Sequence, residues 1–233
     1  MIDLTIIYYT SNYLDDHNPY FLANTKKQLL EAVGNLPVIS VSQKPIDLGT
    51  NICLGDIGRS HLNIYRQILI GAKAAKTKYV AMAEDDILYS YEHFHQYLPQ
   101  GDKFAYNMNK WSIFTWINPP LFSFINRRVV NSLIAKKDIL VSSLEERFDK
   151  FKGVKEEDIP TQYWGDPGRY DRELGVSIRE TEQFSSSIPN VVFNHPEAFG
   201  YLKLGARKKM GDKRANEIPY WGQASDILKL YRP

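Results

Sequence analysis

The chain has 233 residues, 43% of them hydrophobic and 24% charged, with a formal net charge of +2. Those values describe an ordinary globular protein, long enough for one sizeable α/β domain or two small ones, and the net charge singles out no class of partner. The single cysteine, Cys53, excludes an intramolecular disulfide and fits a reducing compartment. No apolar run approaches the ~20 residues that span a bilayer. The start, Met1 to Thr10, lacks the basic region and long apolar core of a signal peptide, so a cytoplasmic protein is expected.

Residues 3–9 are apolar and β-branched and predict a first strand, with Thr10, Ser11 and Asn12 as a polar loop placed to meet a ligand. Asn18-Pro19 starts a helix, with Asn18 as N-cap and Pro19 in the first turn. Phe21, Leu22, Leu29, Leu30 and Val33 recur at helical spacing until Gly34-Asn35. Pro37 to Val41 is a second strand. This βαβ order implies a parallel sheet. Residues 43–60 read as a long irregular segment holding Gly49, Gly55, Asp56, Gly58 and Arg59; loops of that length are functional or disordered. Ser60 caps a helix running to Lys76.

The strand Tyr79 to Ala83 then ends in three acids, Glu84, Asp85 and Asp86. A buried α/β strand has no use for three carboxylates unless they emerge at its carboxyl edge, where such sheets place ligands. Carboxylates crowded there repel one another. A divalent cation relieves the repulsion, and Mg²⁺ takes one or two protein carboxylates together with substrate phosphate oxygens. A metal–diphosphate site is the simplest reading, against acids that cap the next helix or sit solvated in a loop. Strand alternation places Glu84 and Asp86 on one face and Asp85 on the other, as a structural group or a ligand-binding one.

Ser90 opens a short helix over Tyr91 to Leu98. Phe104 to Trp111 and Leu121 to Ile125 predict strands. A helix is expected from Asn126-Arg127-Arg128 through about Lys136, and another from the two overlapping capping boxes in Ser142-Ser143-Leu144-Glu145-Glu146. Residues 153–183 read as polar and irregular, with Trp164, Asp166 and Arg169 in one dense stretch. Pro189 to Asn194 is a last strand, followed by His195-Pro196. Between Lys203 and Arg214 stand six basic residues (Lys203, Arg207, Lys208, Lys209, Lys213, Arg214) against one acid, a solvated surface or a grip on diphosphate or a nucleic-acid backbone. Tyr220-Trp221 beside them stacks on a base or docks the tail.

The order strand–helix–strand, helix, then apolar strand ending in Glu84-Asp85-Asp86 resembles the layout of GT-A glycosyltransferases, whose Asp-x-Asp motif occupies that place. The string from Glu84 through Leu88-Tyr89 to His93-Phe94, followed by Tyr106-Asn107, Asn109 and Trp111, is similar to a small phage and bacterial branch of that superfamily. The likeness covers residues 3–200, and its specific part is the acidic triplet with its flanks.

The resemblance implies an α/β, GT-A-like (Rossmann-like) single domain with a mostly parallel central sheet flanked by helices. Residues 1–100 would form the nucleotide-sugar-binding half, 101–200 the acceptor half and 201–233 a basic tail. It implies a glycosyltransferase that uses Mn²⁺ or Mg²⁺ and a nucleotide-sugar donor, a UDP-hexose in the leading reading. The acceptor it implies is a 5-hydroxymethylpyrimidine in DNA, in the host cytoplasm if a phage encodes the chain. Carried over by residue, Asp86 binds the metal, Glu84 contacts the donor ribose or the metal, and His195 after the last strand is a further metal ligand. Asp166 is the candidate catalytic base, although the family's usual Glu-Asp pair is absent here; Asp171 and Glu173 are the reserves. Thr10 and Arg59 are expected to reach the donor, with Arg66 and Gln67 near them, because guanidinium pairs well with diphosphate. A glycan or small-molecule acceptor, a nucleotidyltransferase and a non-catalytic nucleic-acid-binding module are the alternatives. Nucleotidyltransferases carry a Gly-rich basic signature near the first strand, which Thr10-Ser11-Asn12-Tyr13-Leu14 lacks.

Overall fold

The structure, a computed structural model, describes residues 2–159, 166–198 and 210–232. In chain order its main elements are β1 (Leu4–Tyr9), α1 (Tyr13–His17), α2 (Pro19–Val33), β2 (Val38–Ser42), β3 (Thr50–Cys53), α3 (His61–Ala74), β4 (Tyr79–Ala83) and β5 (Ile87–Leu88). There follow α4 (Tyr91–His95), β6 (Lys103–Asn107), β7 (Lys110–Phe114), β8 (Phe122–Phe124), β9 (Leu133–Lys136), α5 (Lys137–Lys150), β10 (Glu180–Phe184) and β11 (Asn190–Asn194).

β1 is buried at every position. Leu4, Ile6 and Tyr8 point to one side of the sheet, Ile7 and Tyr9 to the other, so each face needs its own cover. α2 covers the first face with Leu29, Ala32 and Val33. Asn18 caps it by accepting from the Phe21 N–H, and it stops at Gly34, φ 57°. α3 and α5 cover the second face with Ile68, Ala72, Leu140 and Leu144. Ser60 caps α3 as expected, accepting from the Asn63 N–H. Gly71 lets α3 lie close against the sheet, since a Cβ there would stand 2.6 Å from Ile7 Cγ2.

The central sheet runs β10-β6-β9-β4-β1-β2-β3. All neighbours are parallel except β9, which is antiparallel to both β4 and β6. This is the expected α/β class, a mostly parallel sheet flanked by helices. A second sheet, β8-β7-β11-β5, is edged by the short strand Arg214–Ala215. It packs Ile113, Phe122, Val191 and Phe193 against Phe21 and Leu22 of α2 and against the helix Ala224–Leu228. The Tyr79–Ala83 strand and the Pro189–Asn194 strand form where expected, but the latter, β11, belongs to this second sheet.

Several expectations fail, each for a local reason. The helix expected from Asn126 to Lys136 is instead a loop, a 3-10 turn at Val130–Ser132 and the strand β9. Leu133 and Ala135 enter one core and Ile134 the other, a two-sided burial that only a central strand provides. The helix expected from Ser142 begins five residues earlier, at Lys137. Ser143 lies buried within it, and Glu146 reaches forward to the Ser177 N–H and Arg179 rather than back to a cap. The single strand expected over Phe104 to Trp111 breaks at Met108-Asn109, where Asn107 Oδ1 accepts from the Asn109 N–H. Its two halves, β6 and β7, join different sheets. The segment 43–60 contains the edge strand β3, and 153–183 contains the helix Asp171–Leu174 and β10. The helix opened by Ser90 stops at His95 rather than Leu98, and α1 is an additional short helix ahead of α2.

Candidate active site

β4 delivers the acids. The strand ends at Ala83, so Glu84, Asp85 and Asp86 occupy a turn leading into β5. Strand alternation therefore does not decide where they point, and the three carboxylates go three ways.

Glu84 Oε1 accepts from Tyr9 Oη at 2.6 Å and Oε2 from Asn131 Nδ2 at 2.9 Å. The Glu84 N–H donates to Tyr89 Oη, which in turn donates to the Asn131 carbonyl. Both carboxylate oxygens are thus held by β1 and by the loop that enters β9. Burial, then the Asp86 charge, pushes the Glu84 carboxyl up to about 8. Asp85 Oδ2 accepts from Thr10 Oγ1 at 2.6 Å, and the Asp85 carbonyl accepts from Thr25 Oγ1 of α2. Burial and Asp86 raise Asp85 to about 6. Thr10, expected at the donor, is thereby engaged with Asp85.

Asp86 turns the other way. Its carbonyl accepts from the Phe193 N–H, which ties the acid turn to β11. Its carboxylate Oδ2 lies 3.5 Å from His195 Nε2, at the end of β11. Among the described residues neither Asp86 Oδ1 nor His195 Nε2 has a hydrogen-bond partner, although both atoms are buried. Buried polar atoms without partners are costly and mark a function to be explained. His195 Nδ1 sits 3.0 Å from Glu197 Oε2, which also accepts from Tyr231 Oη at 2.7 Å. With Nδ1 donating to Glu197, the neutral ring presents the Nε2 lone pair toward Asp86. Burial lowers the affinity of His195 for a proton, but Asp86 and Glu197 outweigh it and raise the pKa. Two chemistries fit: an imidazolium paired with Asp86, or a cation held by Nε2 and the Asp86 carboxylate. Among the described residues no set of three or more His, Cys, Asp or Glu side chains is grouped to hold a metal. A cation here would take two protein ligands and complete its shell with ligand oxygens, the habit of diphosphate-bound Mg²⁺ or Mn²⁺.

Arg59 reaches the same turn. Its Nη2 donates to the Glu197 carbonyl at 2.9 Å, and its guanidinium lies 3.7 Å from the centre of the Tyr13 ring of α1. Gln67 is spent on the backbone, donating to the carbonyls of Thr10 and Val41. Arg66 donates to Asn63 Oδ1.

Asp166 stands on the other side of β9. Its Oδ2 accepts from Arg169 Nη1 at 3.1 Å, and the Val130 N–H donates to its carboxylate. Val130 is followed by Asn131, the residue that holds Glu84, so one loop carries both carboxylates. Burial raises the Asp166 pKa against the pull of Arg169. Asp171, the first reserve, is not free for catalysis. It forms a buried ion pair with Arg147 at 2.6 Å and accepts from the N–H groups of Gly168 and Arg179. Glu173 lies on the exposed side of the same short helix.

Trp164 and the basic residues Lys203, Arg207, Lys208 and Lys209 lie outside the described residues. Lys213 stands over the Phe124 ring and Arg214 pairs along β8. Trp221 docks its indole N–H on the Pro189 carbonyl, while Tyr220 is 67% exposed. Sequence reasoning missed Tyr9, Asn131, Glu197 and Tyr231. Tyr9 alternates with Tyr8 beside the polar loop and could have been read as a strand-end donor. Asn131 was hidden by the helix expected there.

His93, part of the string resembling the phage branch, is wholly buried. Its Nδ1 accepts from Asn107 Nδ2, which also donates to Ser186 Oγ. Burial, then Lys110, lowers its pKa to about 3, against ~6.5 for an unfolded histidine. The unfolded chain binds the extra proton between those values, so stability falls as the pH drops from ~6.5 toward 3, by ~1.4 kcal/mol per unit. His93→Gln keeps an acceptor for Asn107 and should flatten that slope. Urea unfolding at about pH 7 and about pH 5 measures it, and an unchanged slope would assign the acid sensitivity elsewhere.

No family model and no curated protein matches the sequence. Solved structures are similar to this chain at low identity. A glycosyltransferase involved in glycosylation of the major capsid of PBCV-1 is 10% identical, covers 81% of this chain and 91% of its own, and superposes with a TM-score of 0.47. A putative nucleotide-diphospho-sugar transferase from Desulfovibrio desulfuricans is 12% identical over 100% of this chain and 98% of its own, TM-score 0.46. The 2-C-methyl-D-erythritol 4-phosphate cytidylyltransferase of Thermus thermophilus is 12% identical over 88% and 100%, TM-score 0.45. At these values the likeness assigns no activity, and the functional reading rests on the residues of the site.

Proposed function

We propose that this chain is a metal-dependent glycosyltransferase that moves a hexose from a nucleotide sugar, a UDP-hexose, to an acceptor hydroxyl. The observation that carries the reading is the approach of the Asp86 carboxylate to His195 at the carboxyl edge of a parallel sheet, 3.5 Å from Oδ2 to Nε2, with Asp86 Oδ1 and His195 Nε2 both buried and without a hydrogen-bond partner among the described residues. Asp86 and His195 would hold Mn²⁺ or Mg²⁺. Such a cation offsets the negative charge that gathers on a leaving diphosphate. Glu197 and Tyr231 fix the His195 ring, and Thr10 and Asp85 brace the acid turn from β1. Arg59 holds the Glu197 turn and stands where a diphosphate oxygen can compete for its guanidinium. Asp166 takes the proton from the attacking hydroxyl, since burial makes it a stronger base than an ordinary aspartate. In this reading residues 1–100 supply the donor half and 101–200 the acceptor half.

The acceptor suggested by the sequence resemblance is a 5-hydroxymethylpyrimidine in DNA, whose 5-substituent projects into the major groove. The test incubates the protein with Mn²⁺, a panel of nucleotide sugars and either hydroxymethylated or plain DNA, and reads the products by mass. A gain of one hexose on the hydroxymethylated DNA alone is expected. Donor hydrolysis without that gain removes DNA as the acceptor. No cleavage of any nucleotide sugar overturns the glycosyltransferase reading.

A further inference from the structure

Beyond the acid turn, the carboxyl edge of the sheet carries a second charged feature. A cleft of about 300 Å³ is lined by Met108, Asn126, Arg127, Arg128, Arg169 and Gln183. It opens at the carboxyl ends of the parallel pair β6 and β10, beside the loop that enters β9. Three guanidinium groups share it. Arg169 pairs with Asp166 and also donates to the Arg128 carbonyl. Arg128 donates to Thr181 Oγ1 at 2.6 Å, a neutral partner. Arg127 is exposed, and its guanidinium has no hydrogen-bond or ion-pair partner among the described residues. Beneath it, the buried Lys110 amine donates to the Arg127 carbonyl and to Ser132 Oγ, both at 2.9 Å, and fixes the loop. Three guanidinium groups thus line one cleft, and among the described residues the carboxylate paired with them is Asp166, through Arg169.

Like charges gathered this closely repel unless an anion joins them, and the guanidinium fork matches the oxygens of a phosphate. The donor diphosphate has its own place at Asp86 and His195. In the sheet β9 lies between that place and this cleft. The volume is at the small end of ligand pockets, about 300 to 1,000 Å³, and suits a phosphate with one sugar-sized group attached.

We infer that the Arg127–Arg128–Arg169 cleft binds a phosphate group of the acceptor and so sets the acceptor hydroxyl beside Asp166. This rests on the glycosyltransferase reading for the word acceptor, but the phosphate site stands on its own lining. The phosphate has two sources, a phosphodiester of the DNA backbone or a phosphomonoester on a small sugar or polyol.

The experiment titrates inorganic phosphate, glucose 6-phosphate and a hydroxymethylated oligonucleotide into the full chain and into Arg127→Ala by calorimetry. Arg127 is exposed, and its substitution leaves the Arg169–Asp166 and Arg128–Thr181 contacts in place. Losing a charge-assisted contact should weaken phosphate probes by about 10- to 100-fold, with Arg127→Lys intermediate because it keeps the charge and loses the fork. Dependence on Arg127 for glucose 6-phosphate supports the proposal with a monoester source; dependence for the oligonucleotide alone supports it with a backbone source. Equal affinities in wild type and Arg127→Ala for every probe, or no binding of any probe to wild type, overturns it. UDP with Mn²⁺ is titrated into the same preparations. Its failure to bind while phosphate still binds at Arg127 removes the donor reading and leaves the phosphate cleft.

Discussion

Asp86→Ala should abolish Mn²⁺-dependent binding of UDP, and with it transfer, while the protein remains folded. Among the described residues the Asp86 carboxylate makes only the 3.5 Å approach to His195, whereas the tie to β11 runs through its carbonyl, which alanine retains. Removing it also relieves Glu84 and Asp85, since the Asp86 charge is the second cause of the raised pKa of both. The thermal midpoint is therefore expected to hold or rise. Glu197→Gln is the graded control. It weakens the group that orients His195 Nδ1, and loss of such an outer partner costs about 10- to 100-fold in metal affinity. On the proposed reading Asp86→Ala removes a ligand itself and should exceed that range. Calorimetry with UDP and Mn²⁺, paired with thermal melts, separates the effects. UDP binding that survives in EDTA, or in Asp86→Ala, would leave Asp86 and His195 as an ion pair and withdraw the metal.

What the sequence made legible follows from how local each signal is. β1, α2 and β4 each carry their signal within their own residues: an apolar run, an Asn-Pro start, a strand tipped by acids. Their positions in the sheet follow from the βαβ rule. β9 has no such signal. Leu133-Ile134-Ala135 is too short to tell a buried strand from a buried helix by period, and only insertion between β4 and β6 decides it. The same limit applies at the site. The acids could be named from one strand end, but their directions could not, because a turn rather than the strand carries them. Glu197 and Tyr231 reach His195 from two residues away and from the far end of the chain. Contacts of that second kind leave no trace in spacing. Asp171 stands close enough in sequence to substitute for Asp166, but its partner, Arg147, lies 24 positions back in α5.

Asp166→Asn should cut turnover by about 10²–10⁴-fold, the usual cost of removing a general base, and leave UDP binding near its wild-type value. The substitution is nearly isosteric. An amide oxygen still accepts from the Val130 N–H or from Arg169, so the loop that carries Asn131 to Glu84 keeps its course. The fold should not suffer, because burial already disfavours the Asp166 charge and the amide has none to bury. What the amide cannot do is take a proton. As the proposed base, Asp166 would act only when ionised, so kcat/KM should fall as the pH drops through the Asp166 pKa. That limb should lie above the ordinary carboxylate range of about 3.9, since burial outweighs Arg169. In Asp166→Asn the limb should vanish along with most of the rate. Arg169→Lys offers a second handle. It keeps a cation near Asp166 but loses the fork, so it should shift the limb rather than remove it. Initial rates across pH for the three proteins, with UDP affinity measured alongside, give the answer. Near-normal turnover in Asp166→Asn would remove Asp166 as the base, and an unshifted acid limb in that variant would assign the titration to another group.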